Sequence, residues 1–139
     1  MAYNNYSNQY PQLQNKVILN VDDNEMNRLV LSKIMQNAGV KTIQAENGAE
    51  AVKKLHDGLK PHAILMDLEM PVMDGVQASE VIRKIMNTTI PIIINSGLVS
   101  PYQKLKLKCL GINDYLEKPY SIKDIFSKIV KASMLVNTI

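Results

Sequence analysis

The strongest constraint on this chain is an alternation. Short apolar runs rich in β-branched residues recur along it, and each is followed by a stretch with helically spaced apolar side chains. Val17–Val21 (VILNV), Ala63–Met66 (AILM) and 92–95 (IIIN) are the clearest runs. A strand covered on both faces reads as a continuous apolar run, because neither face meets water. The run at 42–45 is weaker and suits an edge strand, and 114–116 is a short fifth candidate.

Between the runs lie five helical patterns. Residues 27–38 place Val30, Leu31, Ile34, Met35 and Ala38 on one face, with Gly39 as a stop. Residues 49–58 carry Val52 and Leu55, with Leu59 next, and 77–86 carry Ala78, Val81, Ile82 and Ile85. Ser100 and Pro101 open a helix running to about Leu110, before Gly111. Ser121, with Asp124 three residues on, opens the last, which buries Ile122, Ile125, Phe126, Ile129 and Val130. Five β-α units in regular order imply an α/β fold with a parallel sheet, helices on both faces and right-handed crossovers.

The 139 residues fit one domain. Met1 to Asn15 holds no charged side chain, is rich in Asn, Gln and Tyr, and reads as a flexible polar tail. The domain is expected over 16–135, with a short tail over 136–139. No apolar run approaches the ~20 residues of a membrane span. Cys109 is the single cysteine, so no internal disulfide can form, and a cytoplasmic location is the default. A net charge of +3 with no Trp and one Phe speaks against a nucleic-acid surface.

In doubly wound sheets the ligand site lies beyond the carboxyl ends of the strands. Asp22 and Asp23 follow the first run, Asp67 the third, Ser96 the fourth and Lys118 the fifth. Topology should bring them to one rim. Two like charges ~4 Å apart repel by about 4 kcal/mol at an effective dielectric near 20, so clustered carboxylates need protonation or a cation. Hard oxygen ligands on a small rim suit Mg²⁺. Asp67 could attack a phosphoryl donor, Lys118 could hold a phosphoryl oxygen, and Ser96 could donate to another. The bland alternatives stand beside this. Asp22-Asp23-Asn24 could simply cap the first helix, Lys118 could be solvated, and Tyr115 could be half-buried packing. Met66, Met70 and Met73 read as gap fillers, His56 and His62 as exposed, and Cys109 as a small buried hydrophobe. Lys104, Lys106 and Lys108 read as a solvated face.

Four pieces carry a family resemblance: VILNVDDNEMNR, ILMDLEMPVMDG, IPIIINSG and GINDYLEKP. Together, in this order, they resemble the receiver domain of response regulators. The resemblance implies a flavodoxin-like doubly wound five-stranded parallel sheet, order 2-1-3-4-5, with five helices. It implies Asp67 as phosphoacceptor, with Asp23 and Asp67 as Mg²⁺ ligands, Asp22 acting through water, and Glu69 ligating through its backbone carbonyl. Ser96 and Tyr115 match the switch pair, Lys118 the phosphoryl-binding lysine, and the Lys118–Pro119 bond is cis in many relatives. The pattern over 22–28 is similar to receivers of hybrid histidine kinases. In these the start of the first helix meets the phosphodonor, which makes Glu25, Met26 and Leu29 docking candidates. Gly97 stands where Ala is more common, and Asn95 is polar at the end of a core strand and needs a partner or a place on the rim.

The function implied is Mg²⁺-dependent acceptance of a phosphoryl group, from a histidine kinase or histidine-phosphotransfer protein, that switches binding to a downstream protein. It is a switch and not a turnover enzyme, with no nucleic-acid or membrane partner. A dimer through the fourth helix, fifth strand and fifth helix is one further expectation. The alternative is a receiver-like binding module that ignores phosphate. A phosphatase of the haloacid dehalogenase type would want Asp where Glu69 stands, and a flavodoxin's phosphate would be repelled by Asp22 and Asp23.

Overall fold

In the computed structural model, residues 6–112 and 114–136 are described. The strands are β1 (Val17–Val21), β2 (Lys41–Ala45), β3 (Ala63–Met66), β4 (Ile92–Ser96) and β5 (Asp114–Glu117). All pair in parallel, in the order β2-β1-β3-β4-β5, so the expected topology holds. The helices are α1 (Glu25–Gln36), α2 (Gly48–His56), α3 (Gly75–Glu80), α4 (Pro101–Cys109) and α5 (Ile122–Val136). A π-helical turn, Val81–Ile85, continues α3.

Strand alternation divides the core. Ile18, Leu65 and Ile93 face α1 and α5, where they meet Leu31, Met35, Phe126 and Ile129. Leu19, Ile64 and Ile94 face the other way, towards Leu55 of α2, Ala78 of α3 and Leu107 of α4. Neighbours along a strand thus serve opposite layers, which is why these strands read as unbroken apolar runs.

Helix starts follow their capping chemistry. Asn24 accepts the N–H of Asn27, and Asn47 that of Glu50. Ser100 and Gln103 form a reciprocal box, as do Ser121 and Asp124.

Several expectations are corrected. Residues 6–15 are not a free tail: Leu13 is fully buried in the α1/α5 core, and Tyr6 and Tyr10 set their rings against Phe126 at 5.2 and 5.0 Å. Residues 1–5 and 137–139 lie outside the described residues, and α5 extends to Val136. Ile85 is exposed, because the π turn spreads more residues over each turn and rotates it off the α3 stripe. Val30 is half exposed, since α1 buries a narrower stripe centred on Leu31 and Met35. Cys109 is exposed, as α4 buries Leu107 alone among its residues. His62 is half-buried, and its Nδ1 accepts the N–H of Val17 at 3.0 Å.

Candidate functional site

The rim at the carboxyl ends of β1 and β3 holds the acids. Asp22 follows β1 and is almost fully buried, Asp23 is exposed, and Asp67 follows β3 and is half-buried. Each offers a carboxylate oxygen within 4.8 Å of the other two. Backbone bonds fix the two strand ends: the Asp67 N–H donates to Val21 O at 3.0 Å, and the Asp22 N–H to Ala45 O at 3.1 Å.

The capping alternative resolves residue by residue. Asn24 caps α1, while Asp22 Oδ1 accepts the Asn24 N–H at 2.9 Å and tightens the turn. Asp23 makes no hydrogen bond or ion pair among the described residues. Arg28, one turn into α1, donates from Nη1 to the Asp22 carbonyl at 2.6 Å and pairs with Glu46 at 3.7 Å. Sequence reasoning assigned nothing to Arg28. Its signal is a basic side chain one helical turn beyond an acidic pair, able to reach back to the turn's carbonyl.

Burial, and then the charge of Asp22, push the Asp67 carboxyl up from 3.8 to about 6. The backbone N–H groups of Glu69 and Leu68 and the charge of Lys118 oppose that rise. Burial of one carboxylate beside another accounts for this, and the donor set of three acids fits a hard divalent ion. Glu69 is exposed and its N–H reaches Asp67 Oδ1 at 3.4 Å.

Gly75 permits the site's shape. Its N–H donates to Leu68 O at 3.0 Å, and a Cβ there would overlap the Asp67 carbonyl. The loop before it carries Val72 at φ 69°, a left-handed conformation costly for a β-branched residue.

The other expected residues lie on β4, β5, the turn after β5 and the start of α1. Ser96 ends β4 and is buried. Lys118 follows β5 and is exposed, close enough for its charge to act on Asp67, and the Lys118–Pro119 bond is cis. Tyr115 is half-buried, with Lys104 Nζ 5.7 Å from its ring centre, and burial raises its hydroxyl's pKa. Glu25, Met26 and Leu29 are all exposed at the start of α1. They lie on the helix that directly follows Asp22 and Asp23.

Comparison with known proteins fits this arrangement. Residues 18–130 match the family model of the response regulator receiver domain. The chain belongs to that family. It is a receiver domain of two-component signalling, a family of signalling switches found in response regulators and hybrid kinases. This receiver is 32% identical over 118 residues to two-component response regulator 24 of Arabidopsis thaliana, covering 85% of this chain and 84% of that one. It is 32% identical over 120 residues to the sensor histidine kinase CheAY of Helicobacter pylori, covering 85% of this chain but only 15% of the kinase. With hybrid signal transduction histidine kinase B of Dictyostelium discoideum it shares 34% over 126 residues, 82% of this chain and 6% of that protein. Among solved structures, the Francisella response regulator 1452 receiver domain superposes with a TM-score of 0.78 at 29% identity, covering 88% of this receiver and 99% of that chain. The chemotaxis protein CheY4 of Vibrio cholerae gives 0.77 at 27%, covering 85% and 98%. No helix among the described residues is long and apolar enough to cross a membrane.

Proposed function

We propose that this receiver takes a phosphoryl group onto Asp67 from a phosphohistidine donor and thereby changes its protein partners. The observation that carries this reading is the trio Asp22, Asp23 and Asp67, with an oxygen of each within 4.8 Å and Asp67 raised to about 6. Asp22, Asp23, Asp67 and the Glu69 carbonyl would hold Mg²⁺, with Asp22 acting through water. The ion, when bound, supplies charge that keeps Asp67 ionised and draws in an anionic donor.

Asp67 Oδ attacks phosphorus as the bond to the donor's imidazole nitrogen breaks, and the imidazole leaves with that electron pair. Lys118 steadies one phosphoryl oxygen as a compact point charge. The Ser96 hydroxyl donates to another. Tyr115 turns inward as Ser96 moves, and the surface of α4, β5 and α5 changes, which is a population shift between two packings. That surface includes a concave patch lined by Tyr115, Tyr120, Asp124 and Lys128, suited to a downstream protein or a second receiver. Glu25, Met26 and Leu29 dock the donor. The setting is cytoplasmic, and the protein acts as a self-limiting switch with no turnover on an outside substrate.

The test is acetyl phosphate with Mg²⁺, followed by intact mass and acid lability. One acid-labile phosphate per chain is expected, absent without Mg²⁺ and absent in Asp67→Asn. No phosphate on the wild type, or unchanged labelling of the variant, would sink the reading.

A further inference from the structure

We infer that Arg28 is a positioning residue for the acidic rim: its guanidinium fixes the peptide between Asp22 and Asp23 and so aims both carboxylates for a divalent ion. This role rests on the reading above that these acids hold Mg²⁺, and it is independent of phosphoryl transfer.

Burial singles Arg28 out. From Asp23 to Val30 every residue except Arg28 is exposed, and the Arg28 side chain is only 12% exposed. A guanidinium is drawn under the surface where acceptors meet its fork of donors. Nη1 donates to the Asp22 carbonyl at 2.6 Å, and Nη2 lies 3.7 Å from Glu46 Oε1. One turn further along α1, Ser32 Oγ accepts the Thr42 hydroxyl of β2 at 2.9 Å. Arg28 and Ser32, four residues apart, therefore share the helix face turned towards β2.

The bond acts on the carboxylates through the backbone. A peptide unit is planar, so holding its carbonyl oxygen also holds the N–H and Cα that follow. The peptide before Asp22 is held too, because the Asp22 N–H donates to Ala45 O at 3.1 Å. With both flanking peptides fixed, the direction of the Asp22 side chain is set. Asp23 depends on this more strongly. Its side chain is exposed and makes no hydrogen bond or ion pair among the described residues, so its backbone alone aims it. A carboxylate whose backbone is already placed loses less freedom when it takes a metal.

Position and charge predict opposite signs. A guanidinium repels a divalent cation, so on charge alone removing Arg28 would tighten Mg²⁺ binding. Removing a group that orients the ligands loosens it, commonly about 10–100-fold. Glu46 holds Arg28 from the solvent side. Its carboxylate is 69% exposed, and an ion pair that open to water contributes little.

The experiment titrates the full ¹⁵N-labelled chain with Mg²⁺, read by the amide NMR shifts of Asp22, Asp23 and Asp67, with thermal unfolding to confirm that each variant is folded. Arg28→Met is expected to bind Mg²⁺ about tenfold more weakly than the wild type. Arg28→Lys keeps the charge but replaces the fork with one ammonium, and should be about threefold weaker. Glu46→Gln should stay within about twofold. Arg28→Met that binds as well as the wild type, or tighter, overturns the role. If Arg28→Met does not fold, Arg28→Lys decides, and undiminished affinity there overturns it. Glu46→Gln as costly as Arg28→Met also overturns it, since the effect would then lie in the ion pair. A wild type with no saturable Mg²⁺ shifts defeats the metal reading and this role together. In a second arm, the Mg²⁺ concentration for half-maximal phosphorylation by acetyl phosphate should rise in Arg28→Met by the same factor, with the rate at saturating Mg²⁺ within about twofold of wild type. A lowered saturating rate with an unchanged half-maximal concentration marks a merely structural residue and overturns the role. A wild type that binds Mg²⁺ but takes no phosphate defeats the phosphoacceptor reading, and the NMR arm still decides Arg28.

Discussion

At the scale of single residues, Asp67 carries a cost that can be measured. Its carboxyl ionises at 3.8 ordinarily and at about 6 in the fold, because burial and then Asp22 disfavour the charge. Between these values the folded chain holds more protons than the unfolded chain, so its stability falls as pH rises. Above pH ~6 the full penalty is present. Asp67→Asn removes it. Without divalent ions, thermal unfolding should show the variant gaining on the wild type from pH ~4 to ~6 and then keeping a constant lead. Mg²⁺ should raise the wild-type midpoint and move the variant's much less, since a ligand that binds only the native state stabilises it. A metal-free wild type as stable as Asp67→Asn at pH 7 would remove the burial argument. The positions of Asp22, Asp23, Asp67 and Lys118 were legible because each follows an apolar run, and strand ends of a parallel sheet share a rim. The division of labour among Asp22, Asp23 and Asn24 was not, since all three are good caps and only the turn geometry separates them.

At the scale of elements, the acidic site depends on how closely α3 approaches the end of β3. Gly75 makes that approach, with no room for a Cβ beside the Asp67 carbonyl. Gly75→Ala must push α3 or the Asp67 strand end aside. A loss of at least about 2 kcal/mol is expected by urea unfolding, because a backbone neighbour cannot rotate away as a side chain can. Mg²⁺ affinity should fall with it, read by equilibrium titration, since the same backbone carries the acid. Pattern reading located α3 but not its π turn. Helical spacing assumes about 3.6 residues per turn, and nothing in the composition of Val81 to Ile85 announces a wider one. By that spacing Ile85 falls on the apolar stripe, yet it lies outside. The strands fared better, because burial on both faces leaves a signal that does not depend on phase.

At the scale of the whole molecule, the contacts of the N-terminal segment and the acidic rim lie at opposite ends of β1. The family match begins at residue 18, yet the chain before it is folded in. Leu13 has no exposed surface and shares a cluster with Met35 and Phe126. The Tyr6 N–H donates to Asn37 O at 3.1 Å and the Asn15 N–H to Gly39 O at 2.9 Å, both just beyond the end of α1. These contacts lie where β1 begins, whereas the acids lie where it ends. Composition hid them: one Leu among Asn, Gln and Tyr has no periodicity, and its partners come from α1 and α5, far along the chain. Leu13→Ala should thus cost about 2–4 kcal/mol by urea unfolding, the range for deleting a buried Leu side chain. Under conditions where the variant stays folded, its rate of phosphorylation by acetyl phosphate should match the wild type. Removing residues 1–15 should cost more, as it also takes the Tyr6 and Tyr10 rings from Phe126. A small stability change from either alteration would return the segment to a passive tail. A slowed reaction in folded Leu13→Ala would instead mean that the α1/α5 core transmits strain across the sheet to Asp67.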